Sequence, residues 1–278
     1  AVAPGTCAVE LSADRLGALL RSRSERERLL VVYLTLGDPL TSGPPDLAPV
    51  IARAGVDVLE LGIPTPGVRP RGAAIGASFE RARGIGLARV WAELGELRRR
   101  LPSTPLILLT YPETVADIGW ARLLAESVRL GVDGMVLTEP TAETLGEVSA
   151  AGLNAIPLIR PTTDRDTAGQ LEHCATDLTY RALAAGTGAT LDREVVARLT
   201  AELAADSVKP FIVGFGMRNE RDIRTVAPHV AGVVIGSEFL IRISAVAAND
   251  RARYAEKLIQ RWKSAMVAGA AVDGRDEP

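Results

Sequence analysis

Short apolar, β-branched runs alternate along the chain with longer segments whose apolar residues recur every three or four positions. Leu29 to Thr35 is an unbroken apolar run of strand length. Val56 to Leu61, Leu106 to Thr110, Gly134 to Leu137, Ala155 to Ile159, Asp177 to Ala182, Phe211 to Val213 and Val230 to Ile235 repeat the signal. Between them, helical spacing marks Asp46 to Ala54, closed by Gly55, and Leu87 to Leu101, stopped by Pro102. Further helices are predicted over Ile118 to Leu130, Ala142 to Ala151, Asp166 to His173, Arg193 to Ala205 and Asn219 to Val226, with Asn219 as N-cap. Glu238 begins another helix, Arg251 to Ala265 is a terminal one and Ser12 to Arg21 an initial one.

Strands that each lead into a helix predict a closed parallel barrel rather than an open doubly wound sheet. The latter usually has a glycine-rich turn after its first strand, and here that strand runs into Gly37-Asp38-Pro39. The predicted fold is α/β: a (β/α)8 TIM barrel with extra N- and C-terminal helices. No linker or shift in composition divides residues 1–278, so one domain is expected.

Composition agrees. Hydrophobic residues make up 47% of 278 and aromatics only 4%, so the core is mostly aliphatic, as barrel strands require. A net charge of -2 gives no basic surface for nucleic acid. Arg21 to Arg28 alternates Ser, Arg and Glu, a solvated face rather than a membrane anchor. Cys7 and Cys174 form no metal or disulfide spacing, so no metal site is expected from them. His173-Cys174 reads as a helix end, and His229 as a loop residue. No apolar run reaches the roughly 20 residues of a membrane helix, and Ala1 to Arg15 has no signal-peptide pattern, so a cytoplasmic location is expected.

Barrel chemistry sits where strands end and loops begin. The second strand ends in Glu60-Leu61-Gly62-Ile63-Pro64. A carboxylate among apolar neighbours is costly unless paired or neutral, so Glu60 is either an acid–base group with a raised pKa or a structural residue held by backbone donors. Glycines follow the last three strands at Gly186 and Gly188, Gly214 and Gly216, and Gly236, the last before Ser237 at a helix start. They suit a phosphate cradle of backbone N–H groups, or simply tight turns. Tyr33, Tyr111 and Phe215 fall near strand ends, where they line a pocket for a flat ligand or pack the core.

Tyr33-Leu-Thr-Leu-Gly-Asp-Pro39, Leu59-Glu-Leu-Gly-Ile-Pro64, Gly131-Val-Asp-Gly134, Pro161-Thr-Thr163, Thr187-Gly-Ala189, Gly214-Phe-Gly216 and Gly236-Ser237 stand in one order and spacing. Over roughly Leu29 to Ile243 the chain thereby resembles the tryptophan synthase alpha subunit family. The resemblance implies cofactor-free retro-aldol cleavage of indole-3-glycerol phosphate, and pairing with a beta subunit. It places the catalytic Glu at Glu60. It places phosphate-binding backbone at Gly188, Gly216, Gly236 and Ser237, and the indole pocket at Tyr33, Tyr111, Thr187 and Phe215.

The departures cluster in the loops. The family's second carboxylate, an Asp that holds the indole N–H, aligns with Arg71 in Thr65-Pro-Gly-Val-Arg-Pro-Arg-Gly72. An arginine cannot accept that hydrogen bond. If it points inward it meets Glu60 or a substrate anion; otherwise it is a surface residue. Glu113 and Glu139 replace other loop residues of the family, and Thr179 falls where the family has a pocket aromatic. Three functions remain open. The chain is a divergent lyase on a phosphorylated, aromatic substrate with altered chemistry, a cyclase or isomerase of specialised metabolism that reuses Glu60, or a non-catalytic partner of a beta-like subunit.

Overall fold

A computed structural model describes residues 14–24, 27–42, 46–70, 72–184, 192–214 and 216–267. Its strands are β1 (Leu29–Thr35), β2 (Val58–Gly62), β3 (Leu106–Thr110), β4 (Gly134–Leu137), β5 (Asn154–Ile159), β6 (Thr179–Ala182), β7 (Phe211–Gly214) and β8 (Gly232–Ile235). They close in sequence order into a parallel barrel, with β8 paired back to β1. The helices are α1 (Arg15–Ser22), α2 (Leu47–Ala54), α3 (Ala73–Arg81), α4 (Leu87–Arg100), α5 (Pro112–Ile118), α6 (Trp120–Arg129), α7 (Ala142–Ala150), α8 (Arg165–Cys174), α9 (Arg193–Asp206), α10 (Glu220–Val226), α11 (Ser237–Ser244) and α12 (Arg251–Ala265).

Every residue of β1 is buried, because one set of side chains fills the barrel and the alternate set packs under helices. Several strand edges differ from the predicted ones. β2 starts at Val58 rather than Val56, because Asp57 turns its carboxylate to the Leu30 N–H and to Lys263 of α12. β6 and β8 also start two residues later than predicted, at Thr179 and Gly232.

Two helices depart more. The helix expected over Ile118 to Leu130 is broken at Gly119, whose φ of 88° is left-handed, and Pro112 starts the separate helix α5 before it. Helix α3 has no counterpart in the predicted pattern. It buries Ile75, Ser78 and Phe79, a face of only two apolar residues and a hydroxyl. It follows directly on the rewritten loop and so flanks the strand ends. His229 closes a short 3-10 turn rather than an open loop.

At the N-terminal end of the barrel, Arg15 of α1 and Arg98 of α4 both pair with Asp133, at 3.0 and 2.7 Å. On the outside, α12 inserts Trp262 edge-on against Phe239 of α11, with ring centroids 6.4 Å apart.

Candidate active site at the strand ends

A cavity of about 500 Å³ opens at the C-terminal ends of the strands. Glu60, central in β2, faces into it. The residue is 2% exposed, and its Oε1 has no hydrogen-bond partner. Burial without compensation favours the neutral form, so the carboxyl is pushed up to about 8. At neutral pH the group therefore carries a proton, which it can give up to a ligand.

Three tyrosines surround it. Tyr33 is the direct partner of Glu60 across the β1–β2 pairing. Its ring passes over Gly62, where an added Cβ would meet the hydroxyl at 2.1 Å. Tyr180 of β6 passes over Gly214 of β7 in the same way, at 2.0 Å. Tyr111, at the end of β3, stands edge-on to Phe79 at 6.4 Å. Burial raises all three phenols, and the nearby Glu60 raises them further, so they stay neutral. Small residues on one strand thus make room for large rings from the next, a device that needs glycine because any side chain would displace the ring.

The adjoining wall is built after β7 and β8. Gly216 has a φ of 99°, and Gly236 is the N-cap of α11, with no side-chain cap hydrogen bond. Ser237 opens that helix, whose first N–H groups suit an anion. Glu238 on the same wall is held by Arg242 at 2.7 Å. Arg69, Arg160 and Arg218 also line the cavity, as do Glu113 and Glu139. The Arg69 guanidinium donates to the carbonyls of Pro66 and Val68, which ties the loop after β2 to itself.

The cavity therefore brings together Tyr33, Glu60, Tyr111, Gly216, Gly236 and Ser237. Arg71, Thr187, Gly188 and Phe215 lie outside the described residues. The expectation for Thr179 is corrected: it is fully buried off the cavity wall, and Tyr180 is the aromatic that faces in. Strand alternation explains this, because Arg181 and Thr179 share the outer face, where Arg181 pairs with Glu172 at 3.2 Å. That alternation was the available signal for Tyr180, whereas nothing in the sequence set Arg69 or Arg160 apart from other surface arginines. Among the described residues no cluster of His, Cys, Asp or Glu is arranged to hold a metal ion, and no helix is long and apolar enough to cross a membrane.

A (β/α)8 barrel with a proton-bearing buried carboxyl and a glycine-built wall at its strand ends defines the class. Residues 19–269 match the family model of the tryptophan synthase alpha chain. The tryptophan synthase alpha chain of Xylella fastidiosa strain 9a5c is 34% identical over 232 residues, covering 81% of this chain and 87% of that one. That of Xanthomonas oryzae pv. oryzae strain MAFF 311018 is 32% identical over 246 residues, covering 84% and 90%. The crystal structure of tryptophan synthase subunit alpha from Legionella pneumophila str. Paris superposes with a TM-score of 0.80 at 26% identity, covering 91% of this chain and 98% of that one. The chain belongs to the tryptophan synthase alpha chain family.

Proposed function

We propose that this protein is a divergent carbon–carbon lyase of retro-aldol type, acting on a phosphorylated aromatic substrate related to indole-3-glycerol phosphate. The observation that carries the reading is Glu60: buried, unpartnered, facing the cavity and protonated at neutral pH. In the forward reaction Glu60 gives its proton to the ring carbon that bears the side chain. The carboxylate then takes the proton of the adjacent side-chain hydroxyl. The carbon–carbon bond breaks, its electron pair returns to the ring, and the side chain leaves as an aldehyde. Glu60 ends protonated as it began, so no net proton is lost and no cofactor is invoked. The backbone of Gly216, Gly236 and Ser237 is the assigned phosphate wall, with Gly188 as a further member, and Tyr33, Tyr111, Thr187 and Phe215 are assigned to the ring pocket.

The ring nitrogen becomes positively charged in this scheme, and the difference from the family is in what stands ready to hold it. The family holds that nitrogen with a carboxylate; in the sequence Arg71 aligns with that carboxylate, and Arg69 stands at the cavity. That cation favours a second reading, a cyclase or isomerase in which negative charge develops on the substrate while Glu60 shuttles the proton. A beta-like partner, if retained, would meet loops that carry Glu113 and Glu139.

The test is turnover of indole-3-glycerol phosphate by wild type, Glu60→Gln and Arg71→Asp, read as indole released. Glu60→Gln is expected to lower turnover by about 10²–10⁴-fold, the usual worth of a general acid–base group. Arg71→Asp is expected to raise it. Because the acid form starts the reaction, the wild-type rate should fall as pH rises through about 8. Wild-type turnover that Glu60→Gln leaves intact would sink the lyase reading.

A further inference from the structure

A chain of three hydroxyls ties Tyr33 to helix α3. The Tyr33 hydroxyl lies 2.9 Å from Thr35 Oγ1, and Thr35 Oγ1 lies 2.6 Å from Ser78 Oγ. Ser78 Oγ donates to the Ile75 carbonyl at 2.7 Å. Tyr33, Thr35 and Ser78 are all fully buried.

Each hydroxyl has a single proton to donate, and a carbonyl can only accept. The proton of Ser78 is committed to Ile75. Ser78 must therefore accept from Thr35, whose own proton is then committed, so Thr35 must accept from Tyr33. The direction of the whole chain follows from its last member. The Tyr33 proton points to Thr35, which does not line the cavity, and only lone pairs remain on the phenol oxygen. Reversing the chain would leave the Ser78 and Ile75 oxygens 2.7 Å apart with no proton between them, a repulsion that holds the direction.

We infer that Tyr33 is a fixed hydrogen-bond acceptor that selects flat ligands bearing a ring N–H or O–H. It thereby supplies the acceptor lost from the loop after β2. This rests on the reading of the cavity as a pocket for an aromatic substrate. Tyr33 and Glu60 are direct partners across β1 and β2, so one ring can receive a proton from Glu60 while its N–H is held by Tyr33. A neutral phenol oxygen supports a positively charged nitrogen less than a carboxylate does, which fits a slower or altered reaction.

The test compares indole with indene, the same shape with carbon in place of nitrogen, by calorimetric titration of the full chain. Wild type is expected to prefer indole by about tenfold, the worth of one good hydrogen bond. In Tyr33→Phe that preference should fall to near one, with indene affinity unchanged. An unchanged preference in Tyr33→Phe overturns the inference while leaving the lyase reading in place. If wild type binds neither ligand, the aromatic pocket itself fails, and the inference with it. The tyrosine Raman doublet, taken as wild type minus Tyr33→Phe without ligand, separates a donating from an accepting phenol. A donating phenol is expected, and an accepting one overturns the direction of the chain. Thr35→Val keeps the phenol but removes its acceptor, so the donor signature should disappear; its persistence counts against the chain as described.

Discussion

Glu60 has no partner that would keep it charged, and this couples its chemistry to the stability of the barrel. The unfolded chain holds this carboxyl near 4.5, and the folded chain near 8. The folded state thus binds the proton more tightly between those values. Below about 4.5 both states are protonated, and the neutral group costs nothing extra. As pH rises toward 8 the unfolded state gains by ionising, and above 8 the folded state contains a buried charge. Stability on account of Glu60 is therefore lost on the alkaline side. Glu60→Gln, which is never charged, should match wild type near pH 4 and be the more stable protein at pH 9. The shift sets an upper bound of about 5 kcal/mol for that gain. Urea denaturation of both proteins at the two pH values checks it, and equal stabilities at pH 9 would show that water or a rearranged partner reaches the carboxyl.

Pairs of strands, rather than single residues, shape the pocket. Tyr33 of β1 over Gly62 of β2, and Tyr180 of β6 over Gly214 of β7, are two uses of the same fit. Gly62→Ala puts a methyl group 2.1 Å from the Tyr33 hydroxyl and 2.9 Å from its Cζ, so the ring must swing away. A loss of about 1–3 kcal/mol is expected, as for other overpacked cores. Adding Tyr33→Phe removes the first atom met and should recover part of it, so a double-mutant cycle in urea reads a favourable coupling; strict additivity would mean that the ring already has room to move. These fits also show what could be read in the sequence. β1, β3 and β4 kept their predicted edges because a continuous apolar run has no other way to bury both faces. Helix α3 escaped because Ala73–Arg81 contains Gly76 and just two buried apolar side chains, too few to give a period. That Glu60, Gly216 and Gly236 stand at the cavity was readable, because a buried acid and repeated glycines are chemically anomalous where they stand. Tyr180 was displaced to Thr179 because a one-residue change of register exchanges the inner and outer faces of a strand, and no local feature separates the two. The cavity arginines were not readable, because an arginine in a loop looks the same whether it turns inward or outward.

The molecule separates its two ends. Chemistry gathers where strands end, while at the other end of the barrel Asp133 ties α1 and α4 to the strands through Arg15 and Arg98 and accepts from the Leu106 N–H at 2.8 Å. In barrels that end contributes stability and takes no part in the reaction. The Asp133 side chain is 1% exposed, and burial raises its pKa despite the two arginines. The arginines therefore offset the desolvation of the carboxylate only in part, and the intact cluster adds little net stability by itself. Removing the charge is another matter. Asp133→Asn leaves two half-buried guanidinium groups without a carboxylate, which in other proteins costs about 3–5 kcal/mol. The same change should leave indole affinity at the far end within about twofold, because no described contact links Asp133 to the cavity wall. Thermal unfolding and calorimetric titration of the one variant measure the two effects separately. A fall in indole affinity that tracks the loss of stability would mean that the two ends of the barrel are coupled, and that the pocket depends on how firmly α1 and α4 clamp the strands beneath it.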